Sequence, residues 1–355
     1  MSNGRALPVW LLATALLLPL AVSAQVRWRN VLRQPAEWYA STEARAVAAS
    51  MLRYQSSEGG WPTDVDPTVP PTERFLALQP SARAPTIDDG ATTTPLRHFA
   101  LVITATNDAE LRAAFERGFD YLLAAQQPHG GWPQYFPLRP DYHSHITYND
   151  DAMVEVLELL RDAAAGKAPF AFLDENRRAR TAAAVERGIS CILRTQVKQN
   201  NRLTAWCAQH DENTFAPAWA RNFEPPSLSG MESVGLVRFL MSVKGPTPEI
   251  IAAIEGAVMW LESVPIHGLR VVDSTGADGK KERLTVADPV APPLWARFYE
   301  LGTNRAVFTG RDMVIRYEFS AIERERRAGY NYYGDWPARL LAKDYPRWRD
   351  KNQRP

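Results

Sequence analysis

Two short segments of this chain set carboxylates side by side immediately before apolar-periodic runs: Thr86-Ile87-Asp88-Asp89-Gly90 and Thr147-Tyr148-Asn149-Asp150-Asp151. One Asp at a helix start needs no ligand to explain it, because N-capping alone stabilises by ~0.5–2 kcal/mol. Adjacent acids in both segments exceed what capping requires, and hard oxygen donors from separate loops are what Ca²⁺ takes. Asp88, Asp89, Asp150 and Asp151 are therefore the candidate metal ligands. Neither segment has EF-hand spacing, so capping stays open as the alternative. A third cluster runs from Trp206 through His210 and Asp211 to Trp219, Arg221 and Phe223. No Ser or Cys nucleophile motif accompanies His210, which reads as a structural histidine. Arg221 lies in a polar loop between aromatics, where an unpaired guanidinium binds anions. Trp61, Trp132 and Trp219 fit core plugs and sugar-stacking platforms equally well.

An internal repeat positions these loops. Gln55-Ser-Ser-Glu-Gly-Gly-Trp-Pro62 and Gln126-Gln-Pro-His-Gly-Gly-Trp-Pro133 each close an amphipathic run, with Gly-Gly supplying a left-handed helix end. A degraded third copy runs from Arg194-Thr-Gln196 to Trp206 without the glycines. Three-and-four spacing predicts helices over 41–55, 91–106, 110–126, 149–165, 177–196, 230–243 and 248–263, the last opened by Thr247-Pro248. A Pro-rich connection fills 62–87, Leu269–Asp273 and Arg283–Val286 read as a β-hairpin, and a charged helix falls near 320–328. The expected fold is mainly α: an α/α toroid of about three helical hairpins, with small β-hairpins lining a central cleft.

The N-terminus and composition bound the function class. One Arg, the apolar run Val9–Val22 and the small residues before Gln25 predict a signal peptide over 1–24, cut after Ala24. The run is shorter than the ~20 residues of a spanning helix, which disfavours an uncleaved anchor. Residues 25–355 are then read as one domain, secreted or periplasmic, monomeric and free of membrane. A net charge of +1 offers no field for nucleic acid. The two cysteines, Cys191 and Cys207, form no disulfide framework; in an oxidising compartment pairing between them stays open, while Cys191 reads as a small buried hydrophobe.

In order along residues 40–350, the strings Gly59-Gly60-Trp61-Pro62, Thr86-Ile87-Asp88, Gly130-Gly131-Trp132-Pro133-Gln134, Ile146-Thr-Tyr-Asn-Asp150-Asp-Ala-Met153, Trp206-Cys-Ala-Gln-His-Asp211, Pro293-Leu-Trp295-Ala-Arg297-Phe-Tyr299 and Gly310-Arg311-Asp312 resemble the family-ten pectate lyases. The resemblance implies an α/α toroid and Ca²⁺-assisted anti β-elimination of polygalacturonate. It implies that Asp88 and Asp150 hold or approach calcium and that Arg221 removes the proton. Arg311 would bind a substrate carboxylate, with Arg305, Trp132 and Asp211 in the substrate subsites. Guanidinium has a pKa of about 12.5–13.8, so a base at Arg221 calls for burial beside cations to lower it. Arg297 and Lys281 are the next candidates for that role. The chain departs from the family pattern at Asp89, often Asn, at Met313, often Gly, and in the Asn222-Phe223-Glu224-Pro225 loop. Two other classes compete: an inverting glycoside hydrolase with Asp151 and Asp211 about 6.5–9.5 Å apart, and a carbohydrate-binding protein without catalysis.

Overall fold

The computed structural model describes residues 26–352, so the segment read as a signal peptide lies outside the described residues. Eight helices of the body set the frame: α1 (Thr42–Leu52), a single turn α2 (Glu73–Leu76), α3 (Thr93–Thr106), α4 (Ala109–Ala125), α5 (Ala152–Ala164), α6 (Glu175–Thr195), α7 (Glu232–Met241) and α8 (Pro248–Ser263). They pack as pairs: α3 on α4, α5 on α6 and α7 on α8. Within the stack α3 touches α5 and α5 touches α7, while α1 leans on α3 and α4. The fold is mainly helical, and its short strands pair two by two without closing a larger sheet.

The two helices of a pair start differently. The helices α1, α4, α6 and α8 open on a side-chain cap, from Ser41, Asp108, Asp174 and Thr247 to the backbone N–H of Ala44, Leu111, Arg177 and Ile250. By contrast, α3, α5 and α7 begin with no side-chain cap. Capping therefore does not account for the acids before α3 and α5. A cap would have stabilised those ends by ~0.5–2 kcal/mol, and the carboxylates stand elsewhere.

Each repeat closes on itself in the same way. The indole N–H of Trp61, Trp132, Trp206 and Trp295 donates to the carbonyl of Met51, Leu122, Ile192 and Leu261, each at 2.8 Å. The amide of Gln55, Gln126 and Gln196 bridges its own loop to the next helix, donating to Ala114 O, Ala184 O and Ala253 O at 2.8 Å. The third copy thus keeps its wiring although its glycines are gone. In the first two, Gly59 and Gly130 have φ of +107° and +94°, and a Cβ there would collide with the Arg117 or Arg187 carbonyl.

Three expectations shift at their edges. The connection at 62–87 is ordered around α2 and a 3₁₀ turn over Pro80–Arg83. The helix expected from 149 begins at Ala152, since Asn149–Asp151 form a kinked turn. The hairpin is longer than read: Leu269–Thr275 pairs antiparallel with Lys281–Ala287, Leu269 opposite Ala287. Beyond it come α9 (Arg324–Gly329), α10 (Trp336–Arg339) and α11 (Tyr345–Asn352). Cys191 and Cys207 are buried and unpaired. Among the described residues no helix is long and apolar enough to cross a membrane.

Candidate active site

The Trp plugs hang the acid turns in place, because the backbone N–H of Thr86 donates to Trp61 O at 2.9 Å and that of Thr147 to Trp132 O at 3.1 Å. After each Thr the chain makes the same turn. Asp89 has φ 48°, ψ 31°, and Asp150 has φ 48°, ψ 37°. Non-Gly residues rarely enter this left-handed region, Asp and Asn more readily than most. The turns therefore match with Asp89 on Asp150, Asp88 on Asn149 and Gly90 on Asp151. This corrects the reading of two equivalent acid pairs: the pairs are offset by one residue.

The two turns pack against each other, and their charges repel. Burial, then the charge of Asp89, lifts the Asp88 carboxyl to about 6, against a 2.8 Å hydrogen bond donated by Gln134. The second oxygen of Asp88, Oδ1, is buried with no hydrogen-bond partner. Asp89 is raised by burial and by Asp150 and Asp64. Asp151 reaches about 7 through burial and the charges of Glu232 and Glu155. Crowded, partly orphaned carboxylates are what a hard divalent cation would relieve. No three of the four candidate acids bring oxygens within 4.8 Å of one another among the described residues.

Arg297 is the cation already there. It is 3% exposed, and its guanidinium donates to Asp150 Oδ1 at 2.8 Å, to Asn149 Oδ1 at 3.3 Å and to Glu232. Burial would lower its pKa, but Glu232, Tyr330 and Asp150 outweigh that and raise it. The Tyr330 ring lies 4.7 Å from its Cζ. Asp150 is thus held by one guanidinium nitrogen of Arg297, NH2, which it shares with Asn149 and Glu232.

Arg221 borders the same group. Its side chain is 42% exposed while its partner Glu224 is 4% exposed. Nε and NH2 donate to the two Glu224 oxygens at 2.9 and 2.6 Å. Burial works to lower the Arg221 pKa, yet the hydrogen bond and charge of Glu224 prevail and raise it. The depression expected from neighbouring cations is therefore not what these residues provide. Arg311 adjoins through its backbone, Asn222 Nδ2 donating to Arg311 O at 3.2 Å, and its guanidinium pairs with Glu325 at 3.0 Å.

Other expected residues fall elsewhere. Trp132 is fully buried, with its indole bonded to Leu122 O, so it is a core plug with no face for a sugar. Arg305 stacks 3.7 Å over the Tyr317 ring, and none of its hydrogen bonds reaches the acid turns. Asp211 accepts from Asn213 N, Thr214 N and Thr214 Oγ1 in its own turn, which lowers its pKa. It stands with His145 and Glu212, ligand atoms within 4.8 Å. Half-buried Trp219 lines an open cleft with Tyr142, His145 and Asn222. His210 is structural: it accepts from Cys207 N and donates to Phe215 O, and burial lowers its pKa to about 4. Lys281 is exposed on the hairpin. Sequence reasoning gave Glu224, Glu232, Asn149 and Tyr330 no part in the site. Of these Asn149, directly before Asp150, and Glu224, three residues after Arg221, carried a local signal.

Residues 55–341 match the model of the family described as pectic acid lyase. An aspartate-to-alanine mutant of the family 10 polysaccharide lyase from Cellvibrio cellulosa, in complex with trigalaturonic acid, is 31% identical with a TM-score of 0.75, over 92% of this chain and 96% of that one. A second structure of the family 10 polysaccharide lyase from the same organism is 31% identical with a TM-score of 0.75, over 91% of this chain and 94% of that one. No curated protein matches the chain.

Proposed function

The chain belongs to the pectic acid lyase family and is a polysaccharide lyase acting on pectate, and from that premise we propose a calcium-assisted anti β-elimination on polygalacturonate. The observation that carries the calcium reading is the pair of uncapped acid turns, with Asp88 Oδ1 buried and unpartnered. Asp88, Asp89 and Asp150 would hold the ion, with Asp151 behind them: their oxygens are the hard donors calcium takes, and the two turns would have to draw together around it, since no three of these acids bring oxygens within 4.8 Å of one another among the described residues. Bound there, calcium supplies positive charge next to the substrate carboxylate.

The protein's own groups do the rest. The C5 proton of galacturonate lies α to a carboxylate, so its removal leaves a dianionic enolate that needs cationic neighbours. Arg297 keeps Asp150 fixed. Arg311 grips a substrate carboxylate, with Arg305 and Asp211 further along the chain of sugars. Arg221, held by Glu224 through Nε and NH2 and with a proton first lost to solvent, removes the C5 proton; the C4–O4 bond of the same sugar then breaks, O4 leaves on the neighbouring sugar and takes up a proton, and a 4,5-unsaturated end remains. The helix pairs support an α/α toroid whose cleft runs over the turns before α3, α5 and α7. A monomer that is secreted or periplasmic is proposed with it.

The direct test incubates purified protein with polygalacturonate, with and without a calcium chelator, and follows ultraviolet absorbance of unsaturated uronides. Absence of that absorbance ends the elimination reading, and insensitivity to chelator ends the calcium reading. Arg221→Lys keeps the charge but not the planar fork. It is expected to lose nearly all turnover, roughly 100-fold or more, with the Michaelis constant little changed. A raised Michaelis constant at intact kcat would instead make Arg221 a carboxylate grip.

A further inference from the structure

We propose that Glu224 is a positioning residue that fixes the direction of the Arg221 guanidinium, itself locked by Tyr330; this rests on Arg221 being the base. All the acceptor capacity of the Glu224 carboxylate is directed at this task. Oε2 accepts from the Arg221 backbone N–H at 3.1 Å and from Nε at 2.9 Å, while Oε1 accepts from NH2 at 2.6 Å and from the Tyr330 hydroxyl at 2.8 Å. The loop does not need this to close, since Glu224 N donates to Arg221 O at 2.8 Å and Ala220 N to Glu224 O at 3.2 Å. Burying a carboxylate costs free energy unless every lone pair is satisfied, and an ordinary surface ion pair contributes little. A fully satisfied, buried carboxylate gripping a half-exposed arginine is suited to orientation, the factor on which proton abstraction depends.

The anchoring extends further. Pro225 and Pro226 follow at once and restrict the backbone behind the carboxylate. The Tyr330 ring that holds Glu224 also lies 5.6 Å from Arg221 Cζ and 4.7 Å from Arg297 Cζ. Arg297 in turn binds Asp150 at 2.8 Å. One phenol ring thus ties the orientation of Arg221 to the frame that holds Asp150.

The experiment measures kcat and KM on polygalacturonate for Glu224→Gln, Tyr330→Phe, Arg221→Lys and the double variant Arg221→Lys/Glu224→Gln. Glu224→Gln keeps the volume but cannot accept from both Arg221 nitrogens and Tyr330 together; kcat should fall roughly 100-fold, with KM within about twofold of wild type. Tyr330→Phe keeps the ring and loses one hydrogen bond, so kcat should fall in the same way by less. In the Arg221→Lys background the Glu224→Gln effect should vanish, because its target is gone. A wild-type kcat in Glu224→Gln, or an undiminished loss in the double variant, overturns the proposal. If Glu224→Gln does not fold by circular dichroism, a wild-type kcat in Tyr330→Phe overturns it equally. Loss of turnover in Arg221→Lys alone sinks only the role of Glu224, whereas intact kcat in Arg221→Lys sinks the parent assignment.

Discussion

The turn before α3 and the turn before α5 share a backbone and distribute charge differently. Each puts an aspartate, Asp89 or Asp150, in the left-handed region next to an uncapped helix start. On one side of that residue the first turn has Asp88 where the second has Asn149; on the other, Gly90 stands against Asp151. The difference follows from the neighbours. A Cβ at Gly90 would come within 2.9 Å of Glu155 Oε2 and Thr94 Oγ1, so a side chain there would have to displace both. Asp151 fits because α7 offers Gly235 opposite, where a Cβ would run into the Asp151 carboxylate. Asp150 is pinned by Arg297, while the charges of Asp150 and Asp64 crowd Asp89 and that of Arg221 offsets them only in part. One turn holds its central charge against a buried cation; the other leaves its central charge crowded by acids.

The largest effect expected from this comparison is on activity. Asp150→Ala should lower calcium-dependent turnover by on the order of 100-fold or more, with helical circular dichroism nearly unchanged because α5 has no side-chain cap to lose. Asp89→Ala at the matched position should do the same. If calcium titrations show wild type and Asp150→Ala equally active, the metal assignment is wrong; if Asp89→Ala alone is silent, the turns match in backbone but not in use.

A smaller effect concerns pH and stability. The Asp151 carboxyl is raised from 3.8 to about 7 by burial and by Glu232 and Glu155. A raised pKa means that the folded state prefers the proton, so this contribution is fully present below pH 4 and is lost as pH rises through about 7. Asp151→Asn removes the penalty. Thermal unfolding in chelator should show the variant gaining on wild type across that window, by on the order of a few kcal/mol, and a difference flat in pH would count against a buried, repelled carboxyl. Smallest is Gly235→Ala, which should cost about 1–3 kcal/mol by overpacking. Its melting-temperature loss should shrink in an Asp151→Gly background, and an equal loss there would mean that Asp151 is not what Gly235 accommodates.

Much of the scaffold was legible because its signals are local. Three-and-four periodicity located the helices, Thr247-Pro248 opened α8 as read, and alternation located the hairpin. The repeat was visible in Gly-Gly-Trp-Pro, although its third copy survives mainly as hydrogen bonds from Gln196 and Trp206. The site was legible in its residue types and not in their roles. Two adjacent acids look alike in both loops until the left-handed residue sets the register, and Trp132 looks like a sugar platform until its whole surface is seen to be covered.

By itself the sequence determined the helices, the loops between them and the kind of chemistry those loops carry, since caps, turns and periodicity act within a few residues. Only the tertiary structure decided that Arg297 claims Asp150, that Glu224 and Tyr330 claim Arg221, and that Asp151 depends on a glycine across the helix interface. Arg297 lies 147 positions from Asp150 and Tyr330 lies 106 from Glu224. Burial and charge act through space, and no local pattern encodes which distant group will be the neighbour.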